Sequence, residues 1–169
     1  MTETLTSEPA ATATGRSRFL DLVGLVARLV LGGVLLYAGA TKVLTPVGSA
    51  RAVQAYQIFP FEVAQYIGYA LPIVEIIIGV LLIVGLFTRT NAILGTVLMV
   101  LFIAGIASAW ARGLTIDCGC FGGGGEVAPG ETQYPRRIAE DIAFALCGVW
   151  LIVRPRSLLS LDRHLLRRP

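Results

Sequence analysis

Four apolar runs, separated by polar segments, dominate this sequence and most restrict the folds open to it. They extend from about Leu20 to Leu44, Val63 to Phe87, Ala92 to Ala111 and Arg136 to Val153. A helix crosses a hydrocarbon core of about 30 Å with about 20 apolar residues. Charged residues make up only 15% of the chain and hydrophobic residues 55%, whereas soluble domains carry about 25% charged residues. We therefore predict an all-α fold, an integral membrane four-helix bundle.

The first run has an alternative interpretation as a cleaved signal peptide. Arg16 and Arg18 precede an apolar core, and Ala38-Gly39-Ala40 resembles a cleavage site. The run nevertheless continues through Lys42 to Leu44 and contains Arg28, which favours a membrane span. Small residues along the runs would let the helices approach closely in a left-handed bundle; they include Gly32, Gly33, Gly39, Gly79, Gly95 and Gly105.

The distribution of basic residues predicts the orientation of the chain. We expect residues 1–17 to be a disordered tail, 18–153 the membrane domain and 154–169 a basic tail. Four spans place both termini on one side, where Lys and Arg exceed those of the opposite loops, and such an excess marks the cytoplasm. Both termini are therefore predicted to be cytoplasmic. The same clustering at the ends of apolar runs gives no sign of nucleic-acid binding.

The loop before the last run, about Arg112 to Pro135, carries Cys118-Gly119-Cys120. On the extracytoplasmic side it would meet an oxidising environment. The pair could exchange disulfides, form a static disulfide, stay as two thiols or hold Cu(I), which accepts two thiolates, whereas zinc usually takes four ligands. Exchange is favoured because a disulfide closing so small a ring is strained and easily reduced. Cys147 is predicted to be an inert apolar side chain, and His164 a solvated one.

Charged residues inside the apolar runs form a second set of candidates. Glu75 falls near the middle of the second run, where a lone carboxylate is costly, so we expect it to face the bundle interior with Arg28 reaching toward it. Lys42 and Asp141 come out at similar depths, just under the cysteine loop. They could hold a thiolate and pass protons. The alternatives are a buried pair that fixes helix register and ordinary pairing at the helix ends, with only one of Glu140 and Asp141 facing inward.

Three sequence motifs carry a resemblance to a known family. The segment from Arg28-Leu29-Val30-Leu31-Gly32-Gly33 to Lys42 resembles the first-helix signature of the DoxX-like membrane proteins. Leu71-Pro72-Ile73-Val74-Glu75, with Gly79 and the turn Gly85 to Arg89, resembles their second. The Cys118-Gly119-Cys120-Phe121-Gly122 loop before the last helix is similar to the MauE branch, the methylamine-utilisation membrane proteins. The likeness covers about Arg28 to Val153.

The resemblance implies a multi-pass protein of the bacterial inner membrane. It implies a role in disulfide formation or electron transfer during maturation of methylamine dehydrogenase, beside an extracytoplasmic thioredoxin-fold partner. The residues carried over are Arg28, Lys42, Glu75, Cys118 and Cys120. DoxX-like proteins also suggest a quinone, for which Glu75, Arg28 and Trp110 are candidate contacts, although Trp110 is typical of an interfacial anchor. The alternatives to a quinone-linked thiol–disulfide oxidoreductase component are a non-catalytic assembly subunit and a Cu(I)-handling protein.

Overall fold

The fold is all-α, as predicted; short connections join the first four helices, and a longer loop, residues 112–133, precedes the last. A computed structural model describes residues 11–120, 123–128 and 130–155, with side chains from residue 18 onward. The helices are α1 (Ala11–Val43), α2 (Pro46–Ala55), α3 (Phe61–Val84), α4 (Thr88–Ala111) and α5 (Tyr134–Val153). Two short strands, β1 (Ile116–Asp117) and β2 (Gly125–Glu126), pair antiparallel between α4 and α5.

Three helices in the described part of the chain are long and apolar enough to cross a membrane: Arg18–Val43, Phe61–Val84 and Thr88–Ala111. The chain is thus a membrane protein with three candidate spans. Helix α5 is not among them, because its first two turns carry four charged residues, Arg136, Arg137, Glu140 and Asp141. The prediction of four helices was also incomplete, since the fold contains α2 and the small β-ladder.

Helices α1 and α3 run antiparallel and touch through glycines. A Cβ added to Gly39 would lie 2.7 Å from the carbonyl oxygen of Pro72, and one added to Gly79 would lie 2.7 Å from the amide nitrogen of Leu36. Only glycine permits such an approach of the two backbones. Helices α4 and α5 complete the core; its buried residues are Ala27, Leu31, Leu35, Ile78, Leu82, Ala92, Met99 and Leu151.

Helix α2 lies in the segment between the first two apolar runs, about Thr45 to Glu62. Pro46 stands in its first turn, where a missing N–H costs nothing. The helix packs on α3, where the Ser49 hydroxyl donates to the carbonyl of Gly68 at 2.6 Å. Its buried residues, Ser49, Ala50 and Ala52, are small, so no stripe of large apolar residues marks it in the sequence.

Different contacts close the two ends of the helix bundle. At one end Arg154, just after α5, contacts Asp21 near the start of α1 at 3.4 Å. At the other end α2 lies against the loop that joins α4 to α5. The predicted disordered tail needs one correction, because residues 11–17 are helical. Residues 1–10 and 156–169, which include most of the predicted basic tail and His164, lie outside the described residues.

Candidate functional site

The cysteine loop is anchored on α5 by a buried tyrosine. The Tyr134 hydroxyl donates to the carbonyl of Leu114 at 2.7 Å and accepts from the amide of Ile116 at 3.0 Å. Pairing of Ile116 with Glu126 then closes the loop as a two-residue ladder. These contacts fix the backbone on both sides of the two cysteines and therefore the positions of their Cα atoms.

The cysteine loop packs against helix α2. Gly119 has a φ of +68°, and a Cβ there would lie 2.6 Å from the Cβ of Ala52. Glycine is therefore needed between the cysteines both for the left-handed backbone and for the close approach. At the end of α2 the Tyr56 hydroxyl donates to the carbonyl of Cys118 at 3.0 Å, and Arg112 donates to the carbonyls of Tyr56 and Gln57.

Cys118 and Cys120 are thiols in hydrogen-bond contact, and each is 9% exposed. Donation from the Cys120 thiol lowers the pKa of Cys118, against the opposing effect of burial; the amide of Cys120 and the charge of Arg137 lower it further. The same hydrogen bond and burial raise the pKa of Cys120. The two thiols therefore differ in pKa, which is lowered at Cys118 and raised at Cys120.

The two cysteines also face different surroundings. Cys118 borders a cleft of about 150 Å³ that is lined by Asp117, Cys118, Val127, Glu131, Gln133, Tyr134 and Arg137. Cys120 does not line this cleft, and the charges that act on it are those of Asp141 and Lys42. The outer thiol is therefore the one open to a reactant, while the inner thiol lies next to buried charges.

A buried ion pair lies beneath the loop. The Lys42 ammonium donates to Oε1 of Glu75 at 2.6 Å, and the two side chains are 5% and 0% exposed. The ammonium also lies 5.3 Å from the ring centroid of Phe102 on α4, within the range of a cation–π contact. Lys42 of α1 thus contacts residues of both α3 and α4, and its charge acts on the Cys120 thiol.

The predicted approach of Arg28 to Glu75 is wrong, since Glu75 pairs with Lys42. Helical side chains point back toward the N-terminus of their own helix. On antiparallel α1 and α3 the side chains of Lys42 and Glu75 consequently converge. Gly39 is the residue of α1 that faces the turn of α3 containing Glu75. Arg28 lies about 16 Å before Gly39 along α1. It is buried at 2% exposure in the middle of α1.

Of the two neighbouring carboxylates on α5, Asp141 is the buried one, at 6% exposure. Its Oδ2 atom has no hydrogen-bond partner among the described residues. Glu140 instead bonds to Arg136 and Arg137, both at 2.9 Å. The structure therefore brings together Lys42, Glu75, Asp141, Cys118 and Cys120, and leaves Arg28 apart.

Sequence reasoning missed two residues of this site. Tyr56 holds the backbone of Cys118, and Arg137 lines the cleft beside it. Arg137 stands one turn before Asp141, a spacing that already placed it near the loop, whereas nothing local connects Tyr56 to a loop 62 residues away.

The residues proposed to line a quinone site do not converge. Arg28 is 11 residues from Gly39, the α1 residue that faces Pro72 and Ile76 on either side of Glu75. Trp110 is 53% exposed, with its ring centroid 6.3 Å from that of Tyr134. These residues do not fit one binding site. In the described ranges no three His, Cys, Asp or Glu side chains are grouped so that they could hold a metal ion, so Cu(I) would depend on the two thiols alone.

Comparison with known protein families gives a match. The family model described as "Methylamine utilisation protein MauE" matches residues 20–154. No curated protein and no solved structure matches the chain. The matched range contains all five helices except the first residues of α1, as well as both cysteines of the loop. The chain therefore belongs to the MauE family.

Proposed function

We propose that the chain exchanges thiols and disulfides with an extracytoplasmic thioredoxin-fold protein, in support of methylamine dehydrogenase maturation. The observation that carries this proposal is the pair of free thiols in one loop, of which Cys118 borders a cleft and Cys120 does not; the hydrogen bond between them, which lowers the pKa of Cys118, supports it. Exchange requires one thiolate to attack and a second thiol to resolve the mixed disulfide. The family description, which names methylamine utilisation, supports the choice of process.

The exchange conserves atoms and electrons without a further reactant. In the reducing direction the Cys118 thiolate attacks a partner disulfide, forming a mixed disulfide and releasing one partner thiolate. Cys120 then attacks the Cys118 sulfur, which frees the second partner thiolate and leaves a Cys118–Cys120 disulfide. Two electrons pass to the partner. The reverse sequence oxidises a partner dithiol, and the same two residues keep their roles.

The membrane arrangement that we propose has four spans and both termini in the cytoplasm. Helix α5 packs against α1 and α4, and its apolar part continues the core through Leu151. The contact between Asp21 and Arg154 keeps the two termini at one end. Arg89 lies at the same end, in the first turn of α4. This arrangement puts the cysteine loop on the extracytoplasmic face of a bacterial inner membrane.

One observation favours a second candidate, a non-catalytic assembly subunit. Both cysteines are largely covered, and Tyr56 and Tyr134 pin the loop. A static disulfide at this position would stiffen a docking surface without taking part in exchange.

The experiment that separates the two functions is complementation of a deletion strain with cysteine variants. If exchange is the function, Cys118→Ser and Cys120→Ser each abolish dehydrogenase maturation while the protein still inserts at normal levels. Cys147→Ser serves as the matched control and retains activity. Full complementation by the double Cys118→Ser/Cys120→Ser variant would overturn exchange and support the assembly role.

Topology is tested separately with single cysteines in a cysteine-free background. Thr115 and Thr90 are both exposed and lie at opposite ends of the helices. A membrane-impermeant maleimide applied to intact spheroplasts should label Thr115→Cys and leave Thr90→Cys unlabelled until the membrane is permeabilised. The opposite pattern would place the loop in the cytoplasm and remove the proposed partner from reach.

A further inference from the structure

A buried carboxylate stands behind the inner thiol without a bonding partner on one of its oxygens. Asp141 is 6% exposed, and its Oδ2 atom accepts no hydrogen bond from the described residues. An acceptor atom in this state is costly to bury. Such an unpaired buried oxygen is explained by a bound proton, a bound water or a functional role.

The surroundings of Asp141 connect it to the thiol pair. The charge of Asp141 acts on Cys120 and on the phenol of Tyr56, and Lys42 acts on both Asp141 and Cys120. The carboxylate thus lies on the inner side of the pair, away from the cleft that Cys118 borders.

We propose that Asp141 takes the proton from Cys120 when that thiol resolves the mixed disulfide, and returns it in the reverse step. This inference rests on the thiol–disulfide exchange proposed above. In balanced form, the partner–Cys118 mixed disulfide, the Cys120 thiol and the Asp141 carboxylate give the Cys118–Cys120 disulfide, a partner thiolate and the Asp141 carboxylic acid. No other oxidant or reductant takes part.

The other titratable groups nearby are less suited to this role. Glu75 is engaged by Lys42 at 2.6 Å, and Glu140 bonds to both arginines of its own helix. Tyr56 donates its proton to the carbonyl of Cys118. Burial raises the pKa of Tyr56 above its ordinary value, so it stays a phenol at neutral pH. Glu75 and Asp141 each have one buried oxygen without a hydrogen-bond partner among the described residues, but Glu75 is bonded to Lys42, and it is the charge of Asp141 that acts on Cys120.

Lys42 has a supporting part in this scheme. Its ammonium carries a positive charge that acts on both Asp141 and Cys120. Glu75 holds the ammonium in place through the 2.6 Å contact. The ion pair therefore positions a charge for the step without taking the proton itself.

The test uses the purified reduced protein in detergent micelles with Cys147→Ala as background, and 5,5′-dithiobis(2-nitrobenzoate) as the disulfide. Attack by Cys118 releases one thionitrobenzoate, and resolution by Cys120 releases a second, so stopped-flow absorbance separates the two steps. Positioned proton transfer contributes about 100-fold or more to a rate. We expect Asp141→Asn to slow the second phase by about 100-fold and to leave the first phase within about twofold of the parent.

Two further variants control for structure. Asp21→Asn makes the same substitution at the opposite end and should change neither phase. Asp141→Glu keeps a carboxylate, so its second phase should stay within about tenfold of the parent, and it serves as the working variant if Asp141→Asn does not fold. An unchanged second phase in Asp141→Asn, or equal slowing of both phases, would overturn the role of Asp141. Absence of the second release in the parent protein would instead remove the exchange function itself.

Discussion

The ion pair between Lys42 and Glu75 allows the strongest quantitative prediction. Lys42→Met removes the ammonium and leaves Glu75, which is 0% exposed, with neither oxygen bonded, because Oε2 has no hydrogen-bond partner among the described residues even in the native protein. Breaking a buried pair by removing one partner costs about 3–5 kcal/mol, whereas replacing both charges is often nearly neutral. We therefore expect Lys42→Met to lower the free energy of unfolding by about 3–5 kcal/mol.

The double variant shows whether this loss comes from the pair. Glu75→Gln keeps the shape of the side chain without its charge, so Lys42→Met/Glu75→Gln should be more stable than Lys42→Met alone by about 2 kcal/mol. The measurement is unfolding in detergent by titration with sodium dodecyl sulfate, followed by helical circular dichroism. The four proteins complete a double-mutant cycle.

A second cycle with Arg28→Met is the matched control. Arg28 is similarly buried but lies 14 residues before Lys42 on α1, so its loss should add to that of Glu75→Gln within about 0.5 kcal/mol. The reasoning is refuted if Lys42 and Glu75 behave additively, or if the coupling appears between Arg28 and Glu75. The latter result would restore the pairing that the sequence suggested.

Three further predictions concern the cysteine loop. Cys120→Ala removes the donor that lowers the pKa of Cys118, so the pH midpoint of Cys118 alkylation by iodoacetamide should move upward. Gly119→Ala should lower the melting temperature more than Gly113→Ala, as measured by thermal unfolding. The two glycines have nearly the same φ, +68° and +67°, but of the two only Gly119 has backbone and side-chain atoms within 4 Å of an added Cβ. Tyr56→Phe loses the 3.0 Å hydrogen bond to the Cys118 carbonyl, a loss of about 1 kcal/mol, and alkylation of Cys118 should become about fivefold faster as the loop opens.

Each of these predictions has an outcome that contradicts it. An unchanged midpoint in Cys120→Ala would mean that the two thiols do not share a proton. Equal melting temperatures for the two glycine variants would mean that α2 does not support the loop. An unchanged alkylation rate in Tyr56→Phe would show that the phenol does not hold the cysteine backbone.

The membrane class and the adjacency of the thiols were determined by the sequence alone. Hydrophobic length is a local property, and the segments from about Leu20, Val63 and Ala92 correspond to the three candidate spans. The Cys-x-Cys spacing likewise keeps the two cysteines close along the chain in any fold. The fourth run gave a weaker prediction of a membrane span, because the charged residues that make it a candidate functional element also reduce its hydrophobicity.

The tertiary structure alone decided which groups act on those thiols. Lys42 meets Glu75 because two antiparallel helices each direct their side chains backward, and no local pattern encodes the relative depth of two helices. The contact of Tyr56 with Cys118 depends on α2, whose small buried residues gave no periodic signal. The division into an outward Cys118 and an inward Cys120 follows from the turn at Gly119, which aims two adjacent side chains at a cleft and at a buried charge.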